Sequence, residues 1–375
     1  MMKSRLSILL CSLFSLCSIQ CSAAFLPGQQ QLDGRVLAVW LIHPPWNYSR
    51  FLFAVSALDT TMRSYRIDSA TGALTQVTAF PTISGIGIDI HPTLSYVYLA
   101  NNTTDGVIAA QFDTAGALTS AGSINTGNSN THRVKVHPAG NAIYFNSVQA
   151  GNTRMFRAPL NSGSMGTAVL QNASEPSNSQ FMTLDPTGRF LYGTISGTGG
   201  VNTFTTNGGA SLTAQGNTLI SGTEEPVRAQ FLSDGSGMFL YTTSSGRLMS
   251  YSINATTGMP IPVSNISVNV GALFIHPNQG YLYAGDTASG GLRLYRINGD
   301  KSLTFVNYYT GMGGVSYDNG CFERGGQFLF LTKANATGVI QVVKINADLS
   351  PTLASSLTTG GNLGECTTSI DSYWP

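Results

Sequence analysis

Histidine and arginine are the residues to weigh first in this chain, because an imidazole near its ordinary pKa of about 6.5 beside an always-charged guanidinium can activate water and hold a developing oxyanion. Four of the five histidines, His43, His91, His137 and His276, precede a proline; the fifth, His132, stands apart in "NTHRVKVHP". Other chemical signatures are missing: the sequence holds no G-x-S-x-G elbow, P-loop or Cys-x-x-Cys, and "GMGGVS" at 311–316 lacks the strand, helix and acidic context of a dinucleotide site. No cofactor and no metal are expected.

The elements that must position these residues come from an internal repeat. Short apolar strands ending in an aromatic recur as Phe51-Leu52-Phe53, Tyr96-Val97-Tyr98, Ala142-Ile143-Tyr144, Phe190-Leu191-Tyr192, Phe239-Leu240-Tyr241, Tyr281-Leu282-Tyr283 and Phe328-Leu329-Phe330. Their closing aromatics are 45, 46, 48, 49, 42 and 47 residues apart. Each unit has the order shown by the second: "GIGIDIHP", "SYVYLANN", "GVIAAQFD", "GALTSAGSI". These are four strand-like runs, a to d, separated by turn residues. Seven such units predict an all-β, seven-bladed β-propeller with four antiparallel strands per blade, since radial repetition buries both faces of each small sheet.

The chain resembles the seven-bladed lactonase-like propellers, which include 6-phosphogluconolactonase-type and carboxy-muconate-cyclising enzymes, and the related surface propellers built on Tyr-Val-Thr-Asn repeats. "HPAGNAIYF" at 137–145, "DPTGRFLYG" at 185–193, "VYLANN" at 97–102 and "YRIDSATGALTQV" at 65–77 carry the resemblance. It implies a ligand site at the mouth of the central channel, worked in the enzymes by a His in an H-x-V context, an Arg before an inner strand and a Glu. His132 matches the first and Arg228 is a counterpart of the second, although the family's Pro-Arg-His order reads Pro-Val-Arg-Ala here. Glu225 is the nearest carboxylate in sequence, though the family's Glu follows strand b, where this chain reads "LYTTSSGR".

Topology separates the histidines. The a-to-b turns lie on one face of the ring and the b-to-c loops on the other, so His91, His137 and His276 are turn residues, with Asp185, Asp234 and Glu323 expected in the same place on blades four, five and seven. His132 begins an inner strand and belongs near the opposite face. The small-polar b-to-c loops, among them "NNTTDG" and "GDTASGG", suit solvated turns, the alternatives being carbohydrate, a protein, or a divalent cation held through Asp105 or Asp286.

Residues 1–24 read as a secretory signal: Lys3 and Arg5, an apolar run from Leu6 to Ile19, and Ser22-Ala23-Ala24. A lipid anchor on Cys21 is the rival reading, and Ser18-Ile19-Gln20 is a poor context for it. Residues 25–34 then form a linker and 35–375 a single propeller, with 361–371 supplying the inner strand of blade one; "RVLAVWLIHP" at 35–44 is the alternative. Cys321 and Cys366 remain after signal removal, either as a disulfide tying the ring shut or as two separate thiols. With a net charge of +1 and no basic cluster, nucleic acid is excluded as a partner. No later stretch has the apolar length of a spanning helix. The expectation is an exported, monomeric propeller at the cell envelope that binds a small molecule, carbohydrate or protein at the channel mouth. The alternative is a lactone hydrolase using His132, Arg228 and Glu225.

Overall fold

Strand b of each unit is apolar on both sides of its alternation, as in Phe51–Ser56, where all six residues are buried. Strand d is exposed along most of its length, as in Pro351–Thr358. That gradient, from fully buried to half-solvated, is what a sheet radiating outward from a ring axis requires. The computed structural model describes residues 50–369 apart from 57–59, 83–84, 103–105, 128–130, 150–151, 177–180, 196–198, 221–225, 243–245, 288, 313–318, 334–336 and 362. His43, Asp105, Glu224 and Glu225 lie outside the described residues, as does the segment 35–44.

Seven antiparallel sheets form the ring. Their innermost strands are Leu363–Thr368, Gly85–Ile90, Thr131–Val136, Met182–Leu184, Pro226–Phe231, Val270–Ile275 and Asn319–Phe322, for blades one to seven. Blade three carries one further two-residue strand, Ser164–Met165. The only helical turn among the described residues is a 3-10 turn at Asn207–Gly209. The innermost strand of blade one is C-terminal: Leu363–Thr368 pairs with Phe51–Ser56. A disulfide joins Cys366 on that strand to Cys321 on the inner strand of blade seven, with Cα atoms 5.8 Å apart.

The core is divided among the seams between blades. One apolar cluster joins Tyr98 and Val107 of blade two to Val134, Ile143 and Phe145 of blade three; another joins Phe328, Phe330 and Val342 of blade seven to Leu52, Tyr65 and Leu363 of blade one. Each blade therefore needs both neighbours to cover its faces, which explains why the repeat cannot be shorter than the ring.

Polar latches cross the same seams. The tyrosine at the centre of strand b donates its hydroxyl proton to a carbonyl in the c-to-d joint of the next blade: Tyr98 to Gly163 at 2.6 Å, Tyr144 to Thr206 at 3.3 Å, Tyr192 to Gly258 at 2.9 Å. Burial pushes each of these phenols above its ordinary pKa. Tyr283 makes the same contact with Leu349 at 2.7 Å.

His91, His137 and His276 are the corner residues of their a-to-b turns. Each ring lies with Nε2 3.0–3.1 Å from the carbonyl oxygen of a glycine in the following blade, Gly140, Gly188 and Gly326. A carbonyl only accepts, so Nε2 carries the proton. Nδ1 accepts from a backbone N–H of the same turn, at Leu94, Ala139 and Asn278. The rings are thus neutral struts, and Asp185 and Glu323 occupy equivalent corners, defined by the backbone N–H donated to the first carbonyl of strand b. Blade five departs from the expectation. Its corner is Leu232, which pairs with Gly237, while Asp234 only caps its own turn through the Ser236 N–H. The blade is offset by two residues, so Phe239, not Tyr241, stands in register with Tyr192 and Tyr283, and intervals of 49 and 42 become 47 and 44.

Candidate functional site

Counting back four residues from each corner gives one ring of equivalent positions on the inner strands: Glu365, Gly87, Arg133, Phe181, Arg228, Ala272 and Asn319. Strand alternation turns residues two apart to one face. Glu365, Arg133, Phe181 and Arg228 accordingly line a single cavity of about 350 Å³ in the channel, together with residues of the next tier such as Asp89, Lys135 and Gln230.

Register in this ring is set by bulges. The pairing of blade three shifts between Thr131 and Arg133, leaving His132 as the additional residue; in blade five it shifts between Pro226 and Arg228. A bulge re-aims the side chain that follows it. Here both bulges deliver an arginine to the channel.

The geometry is that of a clamp. The Arg133 guanidinium carbon stands 4.4 Å from the Phe181 ring centroid and that of Arg228 stands 5.5 Å from it. Phe181, on the blade between, is flanked by both cations. Nε of Arg133 lies 3.1 Å from Oε1 of Glu365, and Nη2 of Arg228 lies 3.8 Å from the same oxygen. The carboxylate's Oε2 accepts from the Ile88 N–H at 3.4 Å. Gly87 makes the first pair possible: a Cβ there would fall 2.7 Å from the His132 carbonyl oxygen and 2.9 Å from the Arg133 Cα.

Electrostatics follow from burial. Desolvation alone would raise the Glu365 carboxyl, but Arg133, then Lys135 and Arg228, outweigh it and hold the group at about 2. Burial lowers Arg133 to about 10, with Glu365 opposing and Arg228 adding to the shift. Asp89 moves the other way, raised by burial against the charge of Lys135. At neutral pH Glu365 is therefore an acceptor and Arg133 a cation.

Of the residues picked from sequence, Arg228 lines the cavity. His132 does not appear in its wall; its carbonyl accepts from Nη1 of Arg133 at 2.9 Å, and burial followed by the Arg133 charge lowers its ring to about 4. Glu225 lies outside the described residues. Sequence reasoning passed over Arg133, Phe181 and Glu365. The signal that finds them is the four-residue count from the corners, extended to Ser369, whose N–H donates to the Phe51 carbonyl in the place the histidines take elsewhere.

Among the described residues no group of three or more His, Cys, Asp or Glu side chains is placed to hold a metal ion. Asp286, the described carboxylate of the b-to-c loops, is taken up by Arg293 at 2.6 and 3.0 Å and by Ser289. No helix among the described residues is long and apolar enough to cross a membrane.

Residues 42–169 match the family model described as "Lactonase, 7-bladed beta-propeller". No curated protein matches the chain. Solved structures match it over the whole ring. A Bacteroides fragilis protein assigned as a 6-phosphogluconolactonase is 17% identical, with a TM-score of 0.72 over 86% of this chain and 99% of that one. The periplasmic gluconolactonase of Pseudomonas aeruginosa is 14% identical, with a TM-score of 0.74 over 85% and 99%. A selenium-binding-type protein of Sulfolobus tokodaii, 8% identical, still reaches 0.68 over 86% and 94%. At such identities the likeness speaks of fold. Together with the seven four-stranded blades, it identifies the chain as a seven-bladed β-propeller, with residues 42–169 similar to the lactonase propellers.

Proposed function

We propose that this is an exported propeller whose channel cavity binds a small oxygen-rich anion of the sugar-acid class. The observation that carries the reading is the clamp: Arg133 and Arg228 flank Phe181 and share one carboxylate, so two guanidiniums face the cavity with only part of their charge answered. Guanidinium forks suit carboxylate and carbonyl oxygens, and the cavity volume falls in the usual range for small-ligand sites. Export is supported by the signal-like segment at residues 1–24 and by the Cys321–Cys366 disulfide, a bond favoured in oxidising compartments.

Lactone hydrolysis is the second reading, favoured by the matched family segment and by a cation pair suited to a developing oxyanion. Binding is preferred because the described candidates for a base are weak ones: Glu365 sits at about 2 and His132 at about 4. An efficient general base has a pKa near the working pH. In the hydrolytic reading Arg133 and Arg228 would polarise the carbonyl, and His132 or Glu225 would have to take the proton.

The test is a panel of hydroxy acids and their lactones, followed by calorimetry and by turnover, on wild type, Arg228→Met and His132→Ala. Binding of the acids that is lost in Arg228→Met, without turnover of the lactones, is the expected result. Turnover that falls in His132→Ala would establish the hydrolase instead.

A further inference from the structure

We propose, resting on the reading of the cavity as an anion site, that it is built for a ligand carrying one negative charge and excludes phosphate esters. The charges on its wall decide this. At the Phe181 tier stand two cations, Arg133 and Arg228, and one carboxylate, Glu365. In the adjacent tier Lys135 faces Asp89, whose Oδ2 accepts from the Val136 N–H at 2.8 Å. Asp185, the remaining carboxylate of the wall, is occupied by the Thr187 N–H and hydroxyl at 2.7 Å and lies 3.8 Å from Arg189. The uncompensated charge is therefore a single positive one, and it sits beside Phe181. The residues outside the described set between 51 and 369 include no Lys or Arg, while they include Asp59, Asp105, Glu224, Glu225 and Asp318.

A carboxylate matches one such charge. A phosphate monoester carries about −1.5 to −2 at neutral pH and would leave charge unanswered in a site where Glu365 already takes part of both guanidiniums. An acceptor lies next to the wall residue Gly320: on the same ring, between Ala272 and Glu365, Asn319 is buried with Oδ1 lacking a hydrogen-bond partner among the described residues. That atom suits a ligand hydroxyl. The ligand so described has one carboxylate over Phe181 and hydroxyls toward Asn319 and Glu365.

Calorimetry with D-gluconate and 6-phospho-D-gluconate on the full chain tests this. Wild type is expected to bind gluconate at least tenfold more tightly than the phosphate ester. Glu365→Gln, which frees the second guanidinium, is expected to shift the ratio at least tenfold toward the ester. Arg228→Gln, which cancels the surplus charge, is expected to lose gluconate binding and keeps the test open if Glu365→Gln does not fold. Equal or tighter binding of the ester by wild type overturns the inference and leaves the anion site standing. Binding of neither compound overturns the anion site and the inference with it.

Discussion

Arg133 and Glu365 meet at 3.1 Å across the position of Gly87, joining the inner strand of blade three to that of blade one over a residue without a side chain. Removing the carboxylate leaves the buried guanidinium of Arg133 and the half-buried one of Arg228 without their shared partner. Glu365→Gln is therefore expected to cost about 3 kcal/mol of folding stability, the scale for breaking a buried ion pair, read by urea unfolding. The same residue sets acid stability. Its folded value of about 2 lies below the ordinary 4.5, so its contribution is present above pH 4.5 and is lost as pH falls from 4.5 toward 2. In the variant that part of the acid transition should flatten.

Gly87→Ala addresses the same pair from its spacer. The added methyl meets backbone atoms at 2.7 and 2.9 Å, which do not move aside as a side-chain tip would. We expect a loss of about 1–3 kcal/mol, typical of overpacking, and weaker binding of any anion that depends on Arg133. Thermal unfolding and calorimetry report the two effects separately.

The histidine corners predict a second pH dependence, in a milder window. In His91, His137 and His276 burial holds the ring below its ordinary value of 6.5, and Arg157 adds to the shift at His137. The unfolded chain takes up protons first, so these three residues contribute fully above pH 6.5 and progressively less as the pH falls below it. Melting at pH 7.5 and 5.5 should show the loss. Replacing all three by Asn should lower stability at pH 7.5 and reduce the difference between the two.

Reduction of the Cys321–Cys366 bond is expected to lower stability by about 4 kcal/mol on the chain-entropy scale for a bridge spanning 45 residues. Cys366 lines the cavity and follows Glu365. Ligand binding should accordingly weaken in dithiothreitol, and Cys366→Ser should reproduce the effect without reductant.

The blade order was legible because the repeat is a packing requirement: an aromatic strand b must recur wherever a sheet is covered on both faces. Blade five shows the limit of that signal. A slip of two residues preserves the in-and-out alternation, so "GMFLYTT" reads equally well in either register until the hairpin at Leu232 selects one. The site was half legible for a related reason. Arg228 was legible as the counterpart of an arginine in the similar family, while His132 drew attention ahead of its neighbour Arg133. Composition does not show that His132 is the additional residue of a bulge, nor that the bulge turns Arg133 toward the channel. Glu365 was hidden by distance along the chain and by a corner, Ser369, that shares no residue type with the other six.

Closure by Leu363–Thr368 also has a consequence for the order of events during synthesis. Phe51–Ser56 is made early and waits with an open edge while six blades are completed beside it. The carboxylate that answers Arg133 arrives with the strand that covers that edge. A nascent chain, or one clipped before residue 363, therefore carries the two arginines without their partner, and the ring cannot acquire its ligand site before it has been sealed.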